Sequence, residues 1–403
     1  MVQVAVLGYG TVGSGVVEVI EKNQQEISKR AGSEINVKYV LDLRDFPGDP
    51  IQEKVVHDAD IILNDASVDV ICETMGGIEP AYTFTKKALM SGKSVCTSNK
   101  ELVAAHGPEL IRIAKENNCN YLFEASVGGG IPIIRPLNNA LTAERIDCVM
   151  GILNGTTNYI LTKMEREGAD FDEVLKEAQA LGYAERNPEA DVEGYDACRK
   201  IAILSSLVYG ENVKYESIYT EGITKITPAD FAYAKQMNKT IKLIGISCNN
   251  EDGKFAMVAP RMIGTESPLN CVQDVFNGIL VHSNMLGDSM YYGRGAGKLP
   301  TASAVVGDVV DCVRNLGKHI GCIWDAKDAV LSDIGAFKQQ YFVRAEGDAA
   351  ARKAEVEGAF GEVSVVECPA VSGEFAFVTG KMSEDAYKAA AAKVSGIRSM
   401  IRM

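Results

Sequence analysis

Through the first 130 residues, short apolar runs of strand length alternate with stretches whose apolar positions recur at helical spacing. Val2 to Leu7 is the first such run, followed by Val16, Val17, Val19 and Ile20 on one helical face. Asn36 to Leu41 and Val68 to Cys72 are the next runs; a helical stretch from Ala81 to Met90 then leads to Ser94–Thr97 and Tyr121–Ala125. Buried strands alternating with helices predict an α/β fold with a parallel, doubly covered sheet.

From Ile131 the character changes. A helix leads to a strand over Ile146–Ile152, and a new helix opens after Leu153-Asn154-Gly155-Thr156-Thr157-Asn158. A helical run from Phe171 to Leu181 stops at Gly182, a good C-terminal cap. Asp196 begins another helix, which becomes apolar from Ala202 to Val208. Strands over Lys242–Cys248 and Phe255–Arg261 predict an α+β unit with its own sheet. The glycine-rich stretch Gly293-Arg294-Gly295-Ala296-Gly297 precedes a long amphipathic helix, Ala302 to Gly317, read as the chain returning to the first domain. After Trp324-Asp325 the strands and helices predicted between Tyr341 and Ile401 follow a βαββαβ order. The expected division is residues 1–130 with 296–320, residues 131–295, and residues 331–403.

A chain of 403 residues with 46% hydrophobic and 24% charged positions fits an ordinary globular protein of two or three domains. A formal net charge of −13 argues against nucleic acid or an anionic membrane as the main partner. No apolar stretch reaches the length of a membrane span, and the chain begins directly on a strand, so a cytoplasmic protein is expected. The ten cysteines form no Cys-x-x-Cys pair; reduced, mostly buried thiols are the expectation.

The chemistry begins where the first strand ends. Gly8-Tyr9-Gly10-Thr11-Val12-Gly13 is a G-x-G-x-x-G turn between a chain-initial strand and a helix, the context that makes this motif a dinucleotide site. Gly8 makes the tight turn, Gly10 lets a pyrophosphate approach the backbone, Gly13 lets helix and strand pack closely, and Thr11 and Val12 open the helix on which the phosphates sit. The second strand ends at Asp42-Leu43-Arg44-Asp45: an acid here suits the ribose hydroxyls of NAD, whereas Arg44 suits the 2′-phosphate of NADP, so the cofactor is NADP or NAD. Thr74 and Lys100 lie just past later strands, at the carboxyl edge where ligands gather in open α/β sheets. Ser126 to Pro132 holds three glycines, which serve a turn or present carbonyls to a cation. Thr156, at a helix start with exposed amides and hydroxyls, suits a substrate carboxylate or simply caps the helix.

The loop after Gly182 carries Glu185, Glu189, Asp191, Glu193 and Asp196, and Lys200 follows Asp196 by one helical turn on the same face. A lysine at the start of a buried helix, ringed by acids, is a candidate acid/base group. The run Ala178, Gly182-Tyr183-Ala184-Glu185, Asn187-Pro188, Asp191, Gly194, Asp196 and Lys200 closely resembles the signature of the homoserine dehydrogenase family.

The resemblance implies NAD(P)-dependent interconversion of L-aspartate 4-semialdehyde and L-homoserine, a step toward threonine and methionine. It implies Lys200 as proton donor, Asp196 as its partner, Lys100 as a second group near the cofactor, and Glu185 on the substrate ammonium. Asp191 then belongs to the substrate site, supporting Lys200 or merely fixing the loop, and Gly297 approaches the nicotinamide. It further implies a sodium ion on backbone carbonyls of Glu124, Val127, Gly129 and Ile131, a homodimer or homotetramer, and a C-terminal ACT-like regulatory domain. Family members usually carry Val-Arg-Asp where this chain has Leu43-Arg44-Asp45. The ACT ligand loop usually contains Asp-x-Pro-Gly, whereas here Glu346-Gly347-Asp348-Ala349-Ala350 lacks Pro-Gly. Two other classes remain open: a dehydrogenase of another small hydroxy or aldehyde substrate, and a non-catalytic nucleotide-binding sensor.

Overall fold

The computed structural model describes residues 1–250 and 253–403, which form two compact units. The first comprises Met1–Ala143, Ala202–Lys214 and Gly293–Ala329; the second comprises Glu144–Ile201, Tyr215–Tyr292 and Val330–Met403.

The first unit is built on six parallel strands: β1 (Val2–Leu7), β2 (Ile35–Leu41), β3 (Val55–Val56), β4 (Val68–Glu73), β5 (Ser94–Thr97) and β6 (Tyr121–Leu122). Their spatial order is β3-β2-β1-β4-β5-β6, so the connections change direction between β1 and β4. That reversal opens a crevice at the carboxyl ends of those two strands, where nucleotides bind in such sheets. Val4, Ala5 and Val6 of β1 are fully buried, as a central parallel strand covered on both faces requires. The helix Thr11–Lys22 packs Val16, Val17 and Ile20 into a core shared with Ala302, Val305 and Val309 of the helix Lys298–Arg314. Each large side chain buried there contributes roughly 1.5–3 kcal/mol before the entropy of ordering it is counted. The strand expected over Tyr121–Ala125 stops at Leu122, and Glu124–Ser126 is instead a 3-10 turn. The helix expected to follow Ile131 is a single π turn, Pro136–Ala140.

In the second unit, β7 (Ile146–Ile152), β8 (Tyr219–Thr220), β9 (Lys239–Asn250), β10 (Gly253–Gly264), β11 (Phe276–Ser283) and β12 (Gly287–Arg294) join four later strands in one ten-stranded sheet among the described residues. The later strands are Tyr341–Glu346, Val363–Val366, Glu374–Thr379 and Ile397–Arg402. Helices Ala349–Phe360 and Glu384–Ala391 lie between them in sequence, and these four strands pair antiparallel. They are continuous with β10 through the pairing of Arg261 with Arg402. Arg402 is buried, and its guanidinium bonds Glu384 at 3.0 and 2.9 Å and Glu221 at 2.5 Å. A guanidinium out of water needs such carboxylates to offset its lost hydration.

One expectation is overturned here. Cys148 of β7 and Cys248 of β9 face each other in antiparallel register and are joined by a disulfide. They lie 100 residues apart in sequence, and only the strand register brings them together.

Candidate active site

The nucleotide crevice follows from its glycines. Gly8 has φ +92°, a left-handed conformation that costs glycine little. Thr74 holds the turn from behind: its hydroxyl donates to the carbonyls of Leu7 at 3.0 Å and Gly8 at 2.9 Å. A Cβ on Gly13 would stand 1.9 Å from the Gly8 carbonyl oxygen, so nothing larger than glycine fits there. Gly10, by contrast, faces open space, with no atom within 4 Å of where its Cβ would be. No side chain caps the helix that begins at Thr11, leaving its first amides able to meet an anion. These features fit a dinucleotide pyrophosphate.

Beside the turn, a cavity of about 480 Å³ is lined by Gly8, Asp42, Arg44, His57, Met75 and Phe84, among others. Asp42 accepts the Tyr9 N–H at 2.9 Å, and Arg44 bonds both Asp42 carboxylate oxygens at 2.9 and 3.0 Å. The Arg44 guanidinium holds the Asp42 carboxyl well below the usual carboxylate range. The acid and the arginine that suggested different cofactors are therefore bonded to each other.

Glu73, which the sequence reading passed over, lies fully buried at the end of β4. It accepts the Thr97 hydroxyl at 2.5 Å and the Met75 N–H at 2.8 Å, and burial pushes its carboxyl up to about 7. Thr97 in turn accepts the Asn99 N–H at 2.9 Å, and Asn99 caps the helix Lys100–Glu116. Glu73 thereby braces the turn that presents the half-buried Lys100. Its signal was available: a carboxylate closing an otherwise apolar strand.

The glycine-rich segment after β6 closes on itself through a bond from the Ile131 N–H to the Gly128 carbonyl at 2.9 Å. A Cβ on Gly128 would lie 2.4 Å from the Ile131 carbonyl oxygen, and Gly129 takes φ +57°. The Glu124 carboxylate is taken up by the N–H groups of Ile133, Ile134 and Arg135 at 2.6, 2.9 and 2.7 Å. With its carboxylate engaged by those amides, Glu124 can offer a cation only its backbone carbonyl, an oxygen donor of the kind a hard ion takes. A Cβ on Gly129 would fall 2.2 Å from the Gly295 carbonyl, so the loop packs directly against the segment that reaches Gly297. Gly297, with φ +120°, immediately precedes the helix Lys298–Arg314.

The second unit assembles the acid/base cluster. In the helix Tyr195–Tyr209, Asp196 and Lys200 are one turn apart and buried. The Lys200 ammonium donates to Asp196 Oδ2 at 2.8 Å and to the Leu153 carbonyl at 2.8 Å. Asn154 joins two acids, donating from Nδ2 to Asp191 Oδ1 at 2.7 Å and Asp196 Oδ2 at 2.9 Å. Its Oδ1 accepts the Thr157 N–H at 2.9 Å, so the same residue caps the helix Gly155–Glu167. Asn154 was read only as part of a helix start. Its bridging role crosses 42 residues of sequence and has no local signal.

Thr156 donates to the Tyr183 carbonyl at 2.6 Å, tying this helix start to the acidic loop. Glu185, two residues further on, has an exposed side chain, while Gln179 bonds its carbonyl at 3.1 Å. Lys200, Asp196 and Asp191 are thus brought together through Asn154, whereas Glu185 stands apart in solvent.

A sequence profile described as homoserine dehydrogenase matches residues 132–310, and one described as homoserine dehydrogenase, NAD binding domain, matches residues 8–124. The homoserine dehydrogenase of Bacillus subtilis is 43% identical over 322 residues, covering 78% of this chain and 73% of that protein. That of Helicobacter pylori is 40% identical over 364 residues, covering 86% of each. Among solved structures, a homoserine dehydrogenase from Thiobacillus denitrificans superposes with a TM-score of 0.89 at 34% identity, covering 100% of this chain and 97% of that one. A hyperthermophilic archaeal homoserine dehydrogenase in complex with NADPH gives a TM-score of 0.66 at 28% identity, covering 78% of this chain and 99% of that one.

Proposed function

The chain belongs to the homoserine dehydrogenase family of NAD(P)-dependent oxidoreductases, and from that premise we propose its reaction and the residues that perform it. The reaction is the reversible reduction of L-aspartate 4-semialdehyde to L-homoserine, a step toward threonine and methionine. The observation that carries this reading is the Lys200–Asp196–Asn154–Asp191 network, in which Asn154 ties together Asp191, Asp196 and, through Asp196, Lys200, three residues of the family signature.

When bound, the reduced nicotinamide supplies the hydride. Lys200 gives a proton to the carbonyl oxygen as charge develops there, and takes it back in the oxidative direction. Asp196 holds the ammonium in place and balances its charge. Lys100, braced by Glu73 through Thr97 and Asn99, offers a second path for the proton. The backbone amides at the start of the Thr156 helix receive the substrate carboxylate, while the Thr156 hydroxyl holds that helix start to the acidic loop. The glycine-rich turn from Gly8 to Gly13 holds the pyrophosphate, with Thr74 behind it and Gly297 beside the nicotinamide. Carbonyls of Glu124, Val127, Gly129 and Ile131 suit a sodium ion that stiffens their loop.

Glu185 binds the substrate ammonium. Its exposure fits a carboxylate that meets a charged substrate from solvent. Glu185→Gln replaces a charge-assisted contact with a neutral one, so KM for homoserine should rise about tenfold with kcat changed far less. An unchanged KM would remove Glu185 from the substrate site.

The last four strands and their two helices suit an ACT-like module whose remaining role is assembly into a homodimer or homotetramer. With no Pro-Gly in its ligand loop, threonine should inhibit weakly. The overall reading is tested by a steady-state assay with aspartate semialdehyde, NADPH and NADH. Turnover with either nucleotide supports it, and none with either overturns it.

A further inference from the structure

His57 follows β3, whose two residues pair with Val40 and Leu41 of β2, so its ring comes to lie beside Asp42. Its Nδ1 is 2.7 Å from the Asp42 carbonyl oxygen and its Nε2 is 3.1 Å from Asp45 Oδ1. Both partners can only accept hydrogen bonds. A neutral imidazole donates from one nitrogen alone, so only the imidazolium makes both contacts.

The charged groups around the ring are few. Asp42 and Asp45 face it from the loop after β2, and Arg44 lies between them in sequence. Asp58, next in the chain, directs its carboxylate to the Asp60 N–H. The bond to the Asp42 carbonyl, helped by the Asp45 carboxylate, raises the ring's pKa above its ordinary value against some desolvation. His57 and Arg44 line the same cavity as Gly8 and Asp42. Two cations therefore line that cavity, each paired with a carboxylate.

We propose that His57 sets the nucleotide preference: as imidazolium it joins Arg44 in receiving a 2′-phosphate, and as neutral imidazole it leaves Asp42 to favour the ribose diol of NAD. The phosphate replaces Asp42 as the partner of Arg44 and Asp45 as the partner of His57. A ribose diol instead donates to Asp42 and uses neither cation. Preference for the phosphorylated nucleotide is then present below the pKa of His57 and lost as pH rises through it.

This inference rests on the nucleotide-binding reading of the first unit, and its test reads binding rather than turnover. The full-length protein is titrated calorimetrically with 2′,5′-ADP and with 5′-AMP at about pH 7 and about pH 9. The second ionisation of a phosphate monoester lies near 6, so the ligand stays dianionic throughout. Affinity for 2′,5′-ADP should fall about fivefold across that range, as expected for losing one half-exposed charge-assisted bond. Affinity for 5′-AMP should stay level. His57→Gln should bind 2′,5′-ADP as weakly at the lower pH as at the higher, and Arg44→Ala should weaken it at both while keeping the fall. A fall that survives in His57→Gln, or no fall in the parent, overturns the proposal. Equal binding of the two ligands by the parent overturns it as well, yet leaves dehydrogenase activity with NADH untouched.

Discussion

Lys200→Met should lower kcat for homoserine oxidation about a thousandfold, within the range supplied by a positioned general acid or base. Methionine keeps the length of the stem and removes only the ammonium. The loss should appear in kcat and kcat/KM together, because the proton is needed in the transition state and not for holding the substrate. Reduced nucleotide should still bind, since the glycine turn, Asp42 and Arg44 all belong to the other unit. The substitution also strips a donor from Asp196 and from the Leu153 carbonyl, both bonded at 2.8 Å. Breaking a buried ion pair from one side costs roughly 3–5 kcal/mol, so a lower melting temperature is expected. Lys200→Arg restores the charge and separates the two effects: it should recover stability more than rate, because a guanidinium does not give up its proton at ordinary pH. Activity of Lys200→Met within a few-fold of the parent would dismiss Lys200 as the acid/base group.

The second large effect concerns two glycines that look alike in the motif and differ in space. Gly13→Ala puts a methyl group 1.9 Å from the Gly8 carbonyl and 2.8 Å from the Thr74 hydroxyl that fixes it. The turn must move, at a typical overpacking cost of roughly 1–3 kcal/mol, and NADPH binding should be lost with it. Gly10→Ala meets no atom within 4 Å and needs no unusual backbone, since φ there is −83°. It should fold as stably as the parent and still bind NADPH at least about tenfold more weakly, because the methyl occupies the phosphate's approach. Thermal melting and fluorescence titration with NADPH read the two properties separately. Unchanged NADPH affinity in Gly10→Ala would show that the open face of Gly10 is not where the pyrophosphate lies.

The legible part of this chain was its local part. Apolar periodicity placed β1, β5 and the helix Ala81–Met90, because a strand or helix buried on a known face repeats its signal every two or four residues. The glycine turn was readable because steric demands at Gly8 and Gly13 act within six residues. The Asp196–Lys200 contact was readable because one helical turn separates them. Tyr121–Ala125 misled for a local reason too: its apolar pattern continues past Leu122, but the backbone turns at Glu124, whose carboxylate gathers three amides nine to eleven residues ahead.

What only the tertiary structure decided are contacts between segments with no shared periodicity. Asn154 meets Asp196 and Asp191 because a strand end and a loop converge, and an asparagine before a helix looks the same whether or not they do. Cys148 pairs with Cys248 through the antiparallel register of β7 and β9, and a slip of one residue would have put the two side chains on opposite faces of the sheet. The C-terminal strands extend the second sheet through Arg261 and Arg402, where a buried guanidinium finds its carboxylates on distant elements. Composition and spacing specify which elements form and which chemistry they carry. Which of those groups meet depends on strand register and on the burial of charge, free-energy terms that exist only once the chain has packed.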